Sequence, residues 1–180
     1  MLQEHSPIMI ALLLLFVGVI AIVDLLTRRI PNWLTVGGAL IAVQIQMWAS
    51  GPSGFFEALA GLVAGLAAFL PFYLAGGFGA GDVKAMGAIG SFLGLKAALL
   101  AAAWILISGA IGGLAVVILR GALPALRDRT RNWAVQMHAT YATGRLQLWK
   151  PPHEYLAAQR FPYGLAIAVG TSISVVWNHS

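Results

Sequence analysis

The 180-residue sequence contains no cysteine. Disulfides, thiolate zinc sites, iron–sulfur clusters and a cysteine nucleophile are thereby excluded. Charge is almost as scarce: 9% of the residues are charged, where a soluble domain carries about 25%. The composition is 59% hydrophobic and the mean hydropathy is +0.84. A small soluble core cannot take up that many apolar side chains, so much of the chain is expected to face lipid. The four histidines, His5, His138, His153 and His179, lie outside the apolar runs and at no metal-ligand spacing, so neither a metal nor a cofactor is expected. The HExxH pattern and the GxxxxGK[ST] phosphate loop are both missing. No Lys or Arg precedes the first apolar run. A signal peptide would begin with a basic region, so this run is expected to be retained as a span.

What the sequence does hold is a series of apolar runs, at 7–23, 33–49, 55–75, 85–95, 97–119 and 161–177. Most approach the roughly 20 residues that cross a bilayer as a helix; the run at 85–95 is short and reads as a short or tilted, partly buried segment. Ser50–Gly54 reads as a turn, and the glycine-rich stretch 76–81 as a loop. Basic residues are placed unevenly. Residues 120–160 hold seven of them (Arg120, Arg127, Arg129, Arg131, Arg145, Lys150, Arg160) against Asp128 and Glu154, which accounts for the whole formal charge of +5. If the six runs alternate across the membrane, ten basic residues fall on one side and only Lys96 on the other. Cytoplasmic loops carry the excess of Lys and Arg. The expected fold is therefore an all-α integral membrane protein of about six transmembrane segments with both termini outside. It would form one membrane-embedded domain over 1–180 with a basic cytoplasmic loop at 120–160. Trp133, Met137 and Tyr141 share a helical face in that loop, which reads as an interfacial helix on anionic lipid or as a helix packed on protein. Nucleic acid is not an expected partner, because no recognition module accompanies the charge. The spaced pairs Gly61/Gly65, Gly90/Gly94 and Gly109/Gly113 predict close helix packing.

Six residues are acidic. Glu4, Glu57, Asp128 and Glu154 read as solvated charges of the tail, one surface and the loop. Asp24 and Asp82 do not. Asp24 closes the first run, where an ionisable group is costly and points to function; the plainer reading pairs it with Arg28 one turn on. Asp82 lies in Gly79-Ala-Gly-Asp-Val-Lys84, where the plainer reading is a helix N-cap. By the charge pattern both fall at the cytoplasmic face. Two adjacent carboxylates cannot both ionise cheaply, so one keeps its proton, the state that can activate water and polarise a peptide carbonyl. The glycines beside Asp82 give a backbone that can move or admit a substrate strand. A proton relay in a small transporter and a non-catalytic assembly protein are the competing readings. The relay would place its carboxylates deep in the membrane, whereas these lie at its edge.

Asp24-Leu-Leu-Thr-Arg-Arg-Ile-Pro-Asn32, Gly77-Phe-Gly-Ala-Gly-Asp-Val-Lys84 and Arg160-Phe-Pro-Tyr-Gly-Leu-Ala-Ile-Ala168 resemble the type IV prepilin peptidases, most closely the small form serving Flp-type (tight-adherence) pili. The resemblance implies a GxGD aspartic endopeptidase of the bacterial inner membrane with catalytic Asp24 and Asp82, supported by Gly79, Gly81 and Lys84. It implies prepilin or pseudopilin substrates, cut at the cytoplasmic face between a short basic leader and an apolar helix. Pilus or secretion assembly machinery is an implied partner. The larger members carry a cytoplasmic domain with paired cysteines and methylate the new N-terminus. Without cysteines, no methyltransferase activity is expected here.

Overall fold

The computed structural model describes residues 7–75, 77–119 and 163–179, with residues 131, 132, 134, 135 and 138 of the basic loop. No strand occurs among the described residues, and four helices have both bounds within them: α1 (Pro7–Thr27), α2 (Asn32–Leu74), α3 (Ala80–Leu119) and α4 (Tyr163–His179). The first three are long and apolar enough to cross a membrane; α4 is apolar but shorter. Arg131, Asn132, Ala134, Val135 and His138 are helical and exposed. Trp133, Met137 and Tyr141, on which the interfacial-helix expectation rests, lie outside the described residues.

Four helices stand where six segments were expected because two of them are folded in the middle. A straight helix of the 43 residues of α2 would be about 65 Å long, twice a hydrocarbon core of about 30 Å. Instead α2 breaks at Gly51 (φ 62°, ψ −145°), followed by Pro52. Gly54 packs against the backbone carbonyl of Gln46. Eight residues would separate them by about 12 Å in a straight helix, so the chain doubles back here. The helix α3 breaks in the same way at Gly94 (φ 72°, ψ 178°). Tyr163 touches Phe78, just before α3, and also Gly109 in its second half, so α3 too returns on itself. These backbone angles lie in or beside a region open essentially to glycine alone. The expected turn at Ser50–Gly54 is thus found, confined to a single non-helical residue. The expected segment 85–95 starts five residues earlier, at Ala80, and ends at the Gly94 break.

The first half of α3 is the axis of the bundle: Val83 and every residue from Ala85 to Gly94 are buried. Glycines let the second half of α2 lie directly on it. Gly61 meets the backbone of Gly90 and Gly94, and Gly65 meets Met86 and Gly87. The second half of α3 packs on α4 through Gly109 against Tyr163 and Gly170 against Ile105. A Cβ on Gly113 would meet nothing within 4 Å among the described residues, so no close approach of this kind is seen there. Leu13, Ile20, Phe69, Met86, Ile89, Ile105 and Ile167 fill the centre. Leu26, Trp48, Ile111 and Leu119 are exposed, as side chains facing lipid are. The outcome is a bundle with two ends. One gathers 24–32, 77–84 and 163–164; the other holds the turns at Gly51 and Gly94.

Candidate active site

The first of these ends holds both aspartates. The helix α1 runs past the apolar stretch to Thr27, so Asp24 sits inside its last turn and is only 6% exposed. The carbonyl of Asp24 accepts the N–H of Arg28 at 2.7 Å, and Arg28 takes a left-handed conformation (φ 52°) that ends the helix. The Thr27 hydroxyl, 2.8 Å from the carbonyl of Val23, closes the turn. The side chain of Asp24 does not reach for Arg28. Its Oδ2 accepts the N–H of Gly164 at 2.7 Å. Gly164 is the second residue of α4, so this N–H has no partner within its own helix and lies at the positive end of the helix dipole. A Cβ on Gly164 would come within 2.7 Å of the Asp24 Cβ and 3.0 Å of Oδ2. Only a residue without a side chain lets this backbone approach the carboxylate.

Asp82 is the third residue of α3 and is half-buried. Its Oδ2 accepts the N–H of Gly79 at 2.9 Å, while its own N–H donates to the Gly79 carbonyl at 3.1 Å. The carboxylate supplies one half of a capping box, the bond from the third helical residue back to the N-cap N–H; Gly79 has no side chain to supply the other half. Gly79 is therefore the N-cap, and Asp82 reaches back to it from the first turn; the N-cap role read for Asp82 itself is displaced by three residues. Each aspartate thus accepts a backbone N–H at a helix N-terminus, Asp82 on its own helix and Asp24 on α4.

The start of α4 lies between them. The ring of Tyr163 meets Phe78 edge-on at a centroid distance of 4.4 Å, and Phe78 continues to Phe69 at 5.0 Å and Phe72 at 5.7 Å. Tyr163 and the carboxyl group of Asp82 also interact electrostatically. The dipeptide Tyr163-Gly164 therefore contacts Asp24 with one residue and neighbours Asp82 with the other.

The supporting residues have specific duties. A Cβ on Gly79 would lie 3.2 Å from Asp82 Oδ2, and one on Gly81 would lie 3.1 Å from Ile30 Cβ and 3.4 Å from the Ile30 carbonyl. In this structure the two glycines serve close packing, of the cap on its acceptor and of α3 on the loop between α1 and α2. Lys84 turns away from the aspartates: its Nζ donates to Asn32 Oδ1 at 2.8 Å. That bond ties the start of α2 to the start of α3. Pro31, extended at φ −71° and ψ 145°, makes the turn into α2, and its carbonyl accepts the N–H of Leu34 at 3.1 Å. Glu57 is not simply a solvated charge, since its Oε1 accepts the N–H of Leu95 at 3.1 Å at the far end of the bundle.

Gly164, Tyr163 and Asn32 are the site neighbours that residue chemistry alone does not single out. The signal available for them was the short blocks around 24–32 and 160–168, in which polar or glycine residues interrupt apolar runs.

A family model described as the type IV leader peptidase family matches residues 11–117. No curated protein and no solved structure gives a significant match. The matched stretch is more than half of the chain, contains both aspartates and ends in the second half of α3. With the block resemblances and the bundle of apolar helices, it decides the assignment: the chain belongs to the type IV leader peptidase family.

Proposed function

We propose that the protein is a membrane-embedded aspartic endopeptidase that removes the short leader of a Flp-type prepilin or pseudopilin, with Asp24 and Asp82 as its catalytic pair. The observation that carries this reading is the convergence of the two aspartates on one end of the bundle, on either side of the Tyr163-Gly164 start of α4. Family membership makes the chain a leader-peptidase-type protease, and the aspartates are the described carboxyl groups at this end, one able to take a proton from water while the other gives one to an amide. In the reaction, one aspartate, ionised, takes a proton from a water molecule as that water attacks the scissile carbonyl carbon. The other, protonated, gives its proton to the carbonyl oxygen. The tetrahedral adduct collapses as the C–N bond breaks. The proton taken from water goes to the departing amine, and the adduct's hydroxyl proton returns to the second aspartate. No metal or cofactor takes part.

The same proposal places the chain in a bacterial inner membrane as six segments with both termini outside. The turns at Gly51 and Gly94 supply the two reversals that six segments need beyond four helices, and the basic residues then lie overwhelmingly on the aspartate side. The basic loop is assigned to anionic lipid, because the expected leader is itself basic and would be repelled by it.

The test is co-expression with a candidate Flp-type prepilin and measurement of its size on a gel. Asp24→Asn and Asp82→Asn should each abolish processing, by about 100-fold or more, while the protein still accumulates in membranes. An amide oxygen at either position can still accept the backbone N–H, so the helix ends stay capped. Substantial processing by either variant removes that residue from the mechanism. Processing lost with both aspartates intact, on addition of a chelator, would refute the metal-free chemistry.

A further inference from the structure

In an unbroken helix the carbonyl of Ser91 would accept the N–H of Leu95, four residues on. The turn at Gly94 separates these two groups, and on the buried side, at Ser91 and Phe92, an unsatisfied carbonyl is costly. Each has been taken up by a side chain of α2. Gln46 Nε2 donates to the carbonyls of Phe92 at 3.1 Å and Ser91 at 3.4 Å. Glu57 Oε1 accepts the N–H of Leu95 at 3.1 Å. The two side chains come from opposite sides of the Gly51 turn, and Gly54 packs on the Gln46 carbonyl between them. The chemistry matches the need: an amide donor faces the orphan carbonyls and a carboxylate faces the orphan N–H. Gln46 is 3% exposed, Ser91 0% and Phe92 2%.

We infer that Gln46 and Glu57 are positioning residues for the site at the opposite end of the bundle, pinning the break in α3 and so fixing where its first half delivers Asp82. This rests on the proposed role of Asp82. From the break back to Asp82 are twelve residues, a rod of about 18 Å. A tilt of about 3° at the pin moves the far end by about 1 Å, and a misplacement of that size in an active site costs up to about 100-fold in rate. The rod is packed on nearly every side, with Gly61 and Gly65 against it, so a tilt has little room to be absorbed along the way. Neither Gln46 nor Glu57 reaches the substrate-facing end, so the loss should fall on kcat and not on KM.

Two methionine variants of similar volume, Gln46→Met and Glu57→Met, remove the pin; Glu57→Gln keeps an acceptor oxygen for Leu95. The absence of native cysteines permits a second readout that needs no activity, the rate of disulfide formation in an Ile30→Cys/Gly81→Cys pair. A Cβ at Gly81 would lie 3.1 Å from that of Ile30, so this pair reports the position of the α3 start. Both methionine variants should lose about 10-fold or more in kcat with KM nearly unchanged, and cross-linking should slow several-fold in the same backgrounds. Glu57→Gln should restore most of both. Unchanged cross-linking in both methionine backgrounds overturns the inference whatever the activity does, as does a Glu57→Gln variant as impaired as Glu57→Met. Slowed cross-linking with Asp82→Asn fully active would instead retain the pin and refute the catalytic reading of Asp82.

Discussion

Replacing Gly164 by alanine adds one methyl group at the point where α4 meets Asp24. The new carbon would sit 2.7 Å from the Asp24 Cβ, 3.0 Å from its Oδ2 and 3.1 Å from the Ile20 carbonyl oxygen. Ordinary carbon contacts begin about 0.8 Å further out, since nonbonded carbons settle near 3.5 Å. The strain cannot be relieved by sliding α4 backwards, because Gly170 already lies on the backbone of Ile105 and Tyr163 on Gly109. Turning the Asp24 side chain would relieve only the Oδ2 contact, since its Cβ and the Ile20 carbonyl stay with the backbone of α1; the two helices must therefore part here, giving up the 2.7 Å bond from the Gly164 N–H. Overpacking of this kind costs about 1–3 kcal/mol. A hydrogen bond to a charged group contributes about 1.5–3 kcal/mol. The expected destabilisation is thus a few kcal/mol, and the displacement of Asp24 should lower kcat by about 100-fold. Prepilin processing in detergent, followed by gel mobility, gives the rate; thermal unfolding followed by tryptophan fluorescence gives the stability. Wild-type processing together with an unchanged unfolding temperature would show that α4 does not press on Asp24 and would refute the geometry from which the site is built.

The Lys84–Asn32 bond is exposed and should act as a tie between two helix starts. Lys84→Met and Asn32→Leu are each expected to slow processing a few-fold, and the double variant should be no worse than the poorer single; additive losses would separate the two residues. Gly94→Ala forces a side chain into a glycine-only conformation and within 2.9 Å of Glu57, so it should destabilise by about 1–3 kcal/mol or more, read as a fall in unfolding temperature. In the six-segment arrangement, a cysteine at Ser180 should react with an impermeant reagent outside intact cells, and labelling only after lysis would reverse that terminus. Neutralising Arg127, Arg129 and Arg131 should weaken co-sedimentation with anionic vesicles without slowing detergent activity; a large loss of activity in the folded variant would assign the loop to substrate instead.

Sequence by itself determined the class of this protein. Hydrophobic burial is read residue by residue, so composition and apolar runs gave a bundle of lipid-facing helices with boundaries good to a few residues. The scarcity of acidic residues left Asp24 and Asp82 as the two without a plain surface explanation. Gly51 could be read as part of a turn, because its freedom belongs to the residue itself; Gly94 was read only as a packing glycine inside the run 85–95, and its break belongs to the fold. Tertiary structure alone decided the rest. That Asp24 would accept a backbone N–H from Gly164, 140 residues away, has no local signature: any glycine near a helix start offers the same N–H. Glu57 looked like a surface charge because nothing in its own segment marks it, and only the break at Gly94 creates the N–H that it caps. Gln46 and Asn32 are likewise ordinary polar residues until the fold sets a carbonyl or a lysine against them. Such pairings depend on where two helices cross, and that is fixed by the packing of whole faces and not by the pattern within either one.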